Sequence, residues 1–183
     1  DLLEAALCGT WTTNVLKAGT TRRSFTIQRK FADLATPEFH TYTGCEVNTL
    51  ALSVAPNSMV TTTFGIVGKN LSLGTSAIAG STFGSDVGNS PFDSFTGSIT
   101  EGGSSIATVT SIEMTLENGI EPLFSVGSQV TNRPSIGRSR LTGTLTTYFE
   151  SKALYEKFLN ETSSSIVLTL TDPDGNDYEI DFP

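Results

Sequence analysis

The chain has 183 residues and a mass of about 19.4 kDa; 37% of it is hydrophobic, only 16% is charged, and the net charge is −8. Ser and Thr number 49 against 30 charged residues, which excludes a coiled coil or helical bundle, whose surfaces are carried on Glu and Lys. The acidic balance argues against a conventional nucleic-acid binder, which needs a basic surface to displace counterions. No run of 18 uninterrupted apolar residues is present, and no membrane partner is expected.

The length predicts one domain over residues 1–183. The opening Asp-Leu-Leu-Glu has no initiator Met, so a fragment of a longer chain is expected. Five of the eleven basic residues precede position 31, and five acids without a base lie between Asp172 and Asp181. The two thiols, Cys8 and Cys45, are too few for a disulfide framework and are expected to be buried and free.

Residues 2–7 read as the last turns of a helix that stops at Gly9. Phe25, Ile27 and Phe31 then alternate with Thr26, Gln28 and Lys30, the period of a half-buried strand. Leu50, Leu52 and Val54 alternate in the same way, and the Pro56-Asn57-Ser58 turn leads into Val60, Thr62, Phe64 and Ile66 as a hairpin partner. From Gly68 to Ser105 the texture changes to eight Gly and many Ser with isolated Phe and Ile. That segment, 68–105, is expected to be a long arm that orders on a partner.

Strand patterns return at residues 109–116 and 141–149. A helix is predicted from Lys152 to Asn160, with Ser151 as its cap and the pairs Leu154/Phe158 and Tyr155/Leu159. Ile166, Leu168 and Leu170 then form a strand, which Asp172-Pro173-Asp174-Gly175-Asn176 turns back into Tyr178, Ile180 and Phe182. The expected fold is mainly β: an antiparallel β sandwich or open barrel with one packed α-helix and a long Gly/Ser-rich loop.

Chemistry is poorly represented. Asp172, Asp174, Asn176 and Asp177 begin like a calcium loop, but the closing bidentate Glu is absent and a tight hairpin needs the same residues. His40 stands alone, there is no Gly-x-Ser-x-Gly elbow, and Gly65-Ile66-Val67-Gly68-Lys69 lacks phosphate-loop spacing. Neither catalytic activity, nor a metal, nor a cofactor is expected.

Several segments together resemble phage tail tube proteins. They are Thr43-Gly44-Cys45-Glu46-Val47-Asn48-Thr49-Leu50-Ala51-Leu52-Ser53-Val54, then Val60 to Lys69, and Leu141-Thr142-Gly143-Thr144-Leu145-Thr146 with Phe149, Leu154-Tyr155 and Phe158. Asp172 to Tyr178 completes the series. The resemblance implies a structural virion protein, folded in the bacterial host cytoplasm. Its copies would form rings, usually of six, stacked into a hollow tube. Its partners would be itself, tape-measure and tail-terminator proteins, and DNA in non-specific passage. Phe83, Phe92 and Phe95 on the arm are the expected ring-stacking contacts, and Ala51, Ser53, Thr61 and Thr63 the expected lumen-lining residues. A tail-tip or tail-terminator protein of related fold, or a carbohydrate-binding or adhesin sandwich, is the alternative.

Overall fold

The computed structural model describes residues 1–183 except 83, 86, 87, 94–96, 107, 108, 133, 149–151 and 183, and except the side chains of 154 and 158. Its elements are α1 (Leu2–Leu7), β1 (Phe25–Phe31), β2 (Glu38–Val54), β3 (Thr61–Val67), β4 (Asn70–Gly74) and β5 (Ser98–Glu101). There follow β6 (Ser104–Ser105), β7 (Val109–Glu117), β8 (Arg140–Thr147), α2 (Ala153–Leu159), β9 (Ile166–Thr171) and β10 (Asp177–Phe182). The fold is mainly β, with antiparallel sheets that do not close into a barrel and two short helices, one at each segment read as helical. Ser151, the expected cap of α2, lies outside the described residues.

One sheet has the order β1-β2-β7-β8, with β3 and β4 also paired to β2; the other has the order β10-β9-β5-β6. The chain divides into two compact units: Asp1–Ala51, Thr63–Asp86 and Thr115–Leu141 form the first, and Leu52–Thr62, Val87–Met114 and Thr142–Pro183 the second. Within residues 68–105, expected to be an arm, β4, β5 and β6 are strands.

In the first unit, α1 ends one residue earlier than its glycine suggests. Cys8 itself takes the left-handed position, at φ 49°. Gly9 is required for another reason: a Cβ there would lie 2.1 Å from the Lys17 carbonyl oxygen. The apolar cluster is small, made of Ala5, Ala6 and Val47 with Phe25, Leu50 and Phe64 against it. Buried polar groups complete it. Asn118, 1% exposed, donates from Nδ2 to the carbonyls of Ala6 (2.8 Å) and Val47 (3.1 Å), and its Oδ1 accepts from Ser139 (2.8 Å). One side chain therefore joins α1, β2 and the segment leading into β8, with every amide group satisfied.

Beside it, Arg22 places Nη2 2.6 Å and Nε 2.8 Å from Oε2 of Glu46, and Nη2 also donates to the Pro134 carbonyl at 2.7 Å. Glu46 is buried, and a buried carboxylate needs pairing of this kind to offset its desolvation. Replacing Arg22 with Ala should destabilise the chain by about 3–5 kcal/mol. Removing Glu46 as well should recover part of that loss, as read by urea denaturation of both variants.

The second unit is built on larger side chains. Leu52 of β2, Ile112 of β7 and Leu168 and Leu170 of β9 form its buried centre, with Val54, Val60, Phe92, Ile99, Leu145, Tyr178 and Ile180 packed against them. The centre therefore lies between two sheet faces, the local arrangement of a sandwich. Strands β9 and β10 pair from Asp177↔Thr171 to Phe182↔Ile166, so Tyr178, Ile180 and Phe182 face inward while Asp177, Glu179 and Asp181 stand exposed. Truncating Leu170, 2% exposed, to Ala should lower the unfolding free energy by about 3 kcal/mol through lost burial and a residual cavity. Equilibrium denaturation checks this.

Candidate assembly surfaces

The expected site residues fall into three groups. Phe83 and Phe95 lie outside the described residues. Phe92 packs against the second unit's core, its ring 6.2 Å from that of Tyr178, and its carbonyl accepts from the Val60 N–H at 3.0 Å. Ala51 and Ser53 are half-buried on β2, on the parity opposite the buried Leu52; Thr61 and Thr63 are exposed on β3, which pairs with β2.

Charge is divided unevenly between the units. The second holds eleven Asp and Glu against two Lys, a net −9, while the first holds eight acids and nine bases, a net +1. In the first unit, Arg22 and Arg23 are engaged with Glu46 and Glu4. Lys17, Arg29, Lys30, Lys69, Arg138 and Arg140 are exposed. Two of them rest on aromatic rings: Arg29 sits 4.5 Å from the centroid of Phe31 and Lys30 5.8 Å from that of Phe39.

The N-terminal half of β2 carries a ribbon of its own. It is paired on one side with β1 and on the other with β4. Between the pairs Phe25↔Cys45 and Ile27↔Tyr42, β2 uses one residue more than β1, and Gly44 sits there at φ +62°. This is a β-bulge, which bends the strand and increases its twist. A Cβ on Gly44 would also meet the Lys69 side chain at 2.8 Å. All five residues of β4 are exposed.

Groups with shifted acidity are structural. Hydrogen bonds from the Asn176 side chain and backbone hold the Asp172 carboxyl below its ordinary range; the Asp174 N–H donates to it at 3.0 Å. The residues that begin like a calcium loop thus cap their own turn. Burial raises the thiols of Cys8 and Cys45, which are both free, and the phenol of Tyr178. His40 lies against Phe31, with ring centroids 4.6 Å apart. A groove of about 480 Å³ in the second unit is lined by Val54, Ile99, Ile106, Val109 and Ile112 among others, and no carboxylate, imidazole, thiol or ammonium lines it. Its described lining also includes Asn57, Ser98, Ser105, Thr110 and Ser111.

Lys157 of α2 donates to both carboxylate oxygens of Glu101, at 2.5 and 2.6 Å, and so ties the helix to β5. That hydrogen bond, with a further one from Ser164, holds the Glu101 carboxyl below its usual range. A depressed carboxylate stabilises the fold above its unfolded pKa, and the contribution disappears as the pH falls through the lower, folded value. Glu101→Gln should therefore flatten the acid-side decline in melting temperature while leaving the slope above neutral pH unchanged, as read by thermal denaturation across pH.

No curated protein matches the chain. The family model described as phage tail tube protein matches residues 1–181, all but the last two residues of the chain. The chain belongs to the phage tail tube protein family, and is accordingly a structural component of the phage virion.

Proposed function

We propose that copies of this chain close into rings, six to a ring, that stack into a hollow tube conducting DNA. The observation that carries the reading is the match of residues 1–181 to the tail tube family, and the open sheet edges support it. Among the described residues, strands β1, β8, β10 and β6 each end a sheet path, and β4 pairs only with β2. Unpaired edges are an aggregation hazard in a monomer. In a ring they are used, because head-to-tail contacts between identical copies close when the rotation closes.

In this reading Ala51, Ser53, Thr61 and Thr63 face the lumen. Small uncharged side chains, three of them hydroxylated, on a chain of net charge −8 offer phosphates no counter-charge, so DNA passes without being held. The arm over 68–105 makes ring-to-ring contacts through Phe83 and Phe95, and Phe92 anchors it to the second unit's core. Tape-measure and tail-terminator proteins set the length and close the end, and assembly takes place in the host cytoplasm.

Negative-stain electron microscopy of the purified chain over a concentration series tests the reading. Hollow tubes with a regular axial repeat are expected. A persistent monomer, or a single closed ring that never stacks, overturns it in favour of a terminator or tail-tip role.

A further inference from the structure

Residues 118 and 119 are the single Asn-Gly pair in the chain. Glycine at 119 answers to the backbone, which turns there at φ +58°, a conformation that strains any residue bearing a Cβ. Asparagine at 118 answers to the cross-links of the first unit, in which its amide joins Ala6, Val47 and Ser139. Two structural demands thus set side by side the dipeptide in which a side-chain amide is most open to attack by the next backbone nitrogen, because glycine puts nothing in the way. In that attack the Gly119 nitrogen gives up its proton and bonds to Cγ of Asn118, the Cγ–Nδ2 bond breaks, and Nδ2 departs as ammonia. The five-membered imide takes up one water, which opens it at either carbonyl to an aspartate or an isoaspartate. One water is consumed and one ammonia released, with no change of oxidation state.

The fold holds this pair shut. Asn118 is 1% exposed, which keeps bulk water from its amide. Turning Cγ onto the Gly119 nitrogen would leave the carbonyls of Ala6 and Val47 and the Ser139 hydroxyl without this partner in a covered site. The backbone is pinned as well. The Asn118 N–H donates to the Asn48 carbonyl at 2.8 Å and the Ile120 N–H to Oδ1 of Asn48 at 2.7 Å. The Gly137 N–H reaches the carbonyls of Asn118 and Gly119 at 3.2 and 3.0 Å.

We propose that Asn118 is a deamidation site, closed in the folded chain and opened by unfolding, and that its reaction makes unfolding irreversible. An aspartate at this position has no N–H to give the carbonyls of Ala6 and Val47. It sets a carboxylate against two acceptors in a buried site, with the Ser139 hydroxyl left to donate to it. An isoaspartate has the same defect and adds a methylene to the backbone between pinned residues. Every group named lies within the first unit, so the inference stands apart from the tube reading. Copies that spend longest unfolded are the ones withdrawn from the folding pool.

The test uses the full chain, kept reduced so that Cys8 and Cys45 stay free thiols. It is held in alkaline native buffer, in alkaline guanidinium chloride and in mildly acidic guanidinium chloride, and samples are returned at intervals to one native buffer. Peptide mass spectrometry follows the amide-to-acid change at each asparagine. Asn118 should convert roughly tenfold or more faster in alkaline guanidinium than in alkaline native buffer. In the native buffer the exposed Asn57 and Asn89, each followed by serine, should convert ahead of it. The acidic arm should stay refoldable, since attack requires the backbone nitrogen to lose its proton. The share of chain that fails to refold should rise in step with conversion at Asn118, and Asn118→Asp made directly should melt well below the parent. Equal conversion of Asn118 in native and denaturing alkaline buffer overturns the protection. Converted chain that refolds with the parent's melting temperature overturns the irreversibility, as does refolding lost from chain whose Asn118 is intact.

Discussion

The 17-residue strand β2 is the constraint on which the rest of the structure depends. Four other strands pair with it: β1 and β4 along its first half, and β3 and β7 besides. A strand of that length cannot remain flat, because twist accumulates residue by residue. The bulge at Gly44 adds a local bend and further twist. It lets Glu38 to Thr43 serve an exposed ribbon while Cys45, Glu46 and Val47 enter a covered stretch where three consecutive residues are buried. Three in a row breaks the period-two pattern and means that both faces of the strand are covered there. The ribbon's exposed face and the buried core are thus two outcomes of one backbone irregularity.

A core centred on Ala5, Ala6 and Val47 buries little area, so polar groups fix its geometry. Asn118 accounts for all of its side-chain hydrogen-bonding groups, and Arg22 neutralises Glu46 while also satisfying the Pro134 carbonyl. Such groups contribute modest net stability, because desolvation offsets most of the attraction. Their larger effect is to penalise alternatives: sliding β2 by one residue would part Glu46 from Arg22 and Asn118 from the Val47 carbonyl. The assembly proposed for the chain would benefit from this bias, since open edges can otherwise accept the wrong strand.

How much was legible in the sequence follows from the same physics. Strands with one buried face announced themselves: Phe25 to Phe31, Leu50 to Val54, and the β9–β10 hairpin with its Asp-Pro-Asp-Gly turn. The first half of β2 did not, because its Glu, His, Thr and Tyr face a ribbon and not a core. β4 and β5 are five and four residues long within Gly- and Ser-rich chain, and their pairing comes from β2 and β9, which local pattern does not encode. Gly9 shows a related limit: its place near a helix end was readable, but its role depends on Lys17, eight residues on. Phe92 resembled an exposed arm residue because its core partners Tyr178 and Leu52 are remote in sequence.

Charge segregation resolves an apparent conflict between a net charge of −8 and the self-association proposed for the chain. At physiological ionic strength screening acts over about 8 Å, so what one copy feels from another is the local patch and not the total. A uniform distribution of the same charge would make every encounter repulsive. Locally, the exposed row Asp177, Glu179 and Asp181 on β10 makes an encounter between two such rows the costly one, and other approaches are spared that repulsion. Apolar patches alone would permit either. Sorting encounters by orientation before contact is what a tube requires, because each added copy must repeat the direction of the one before it.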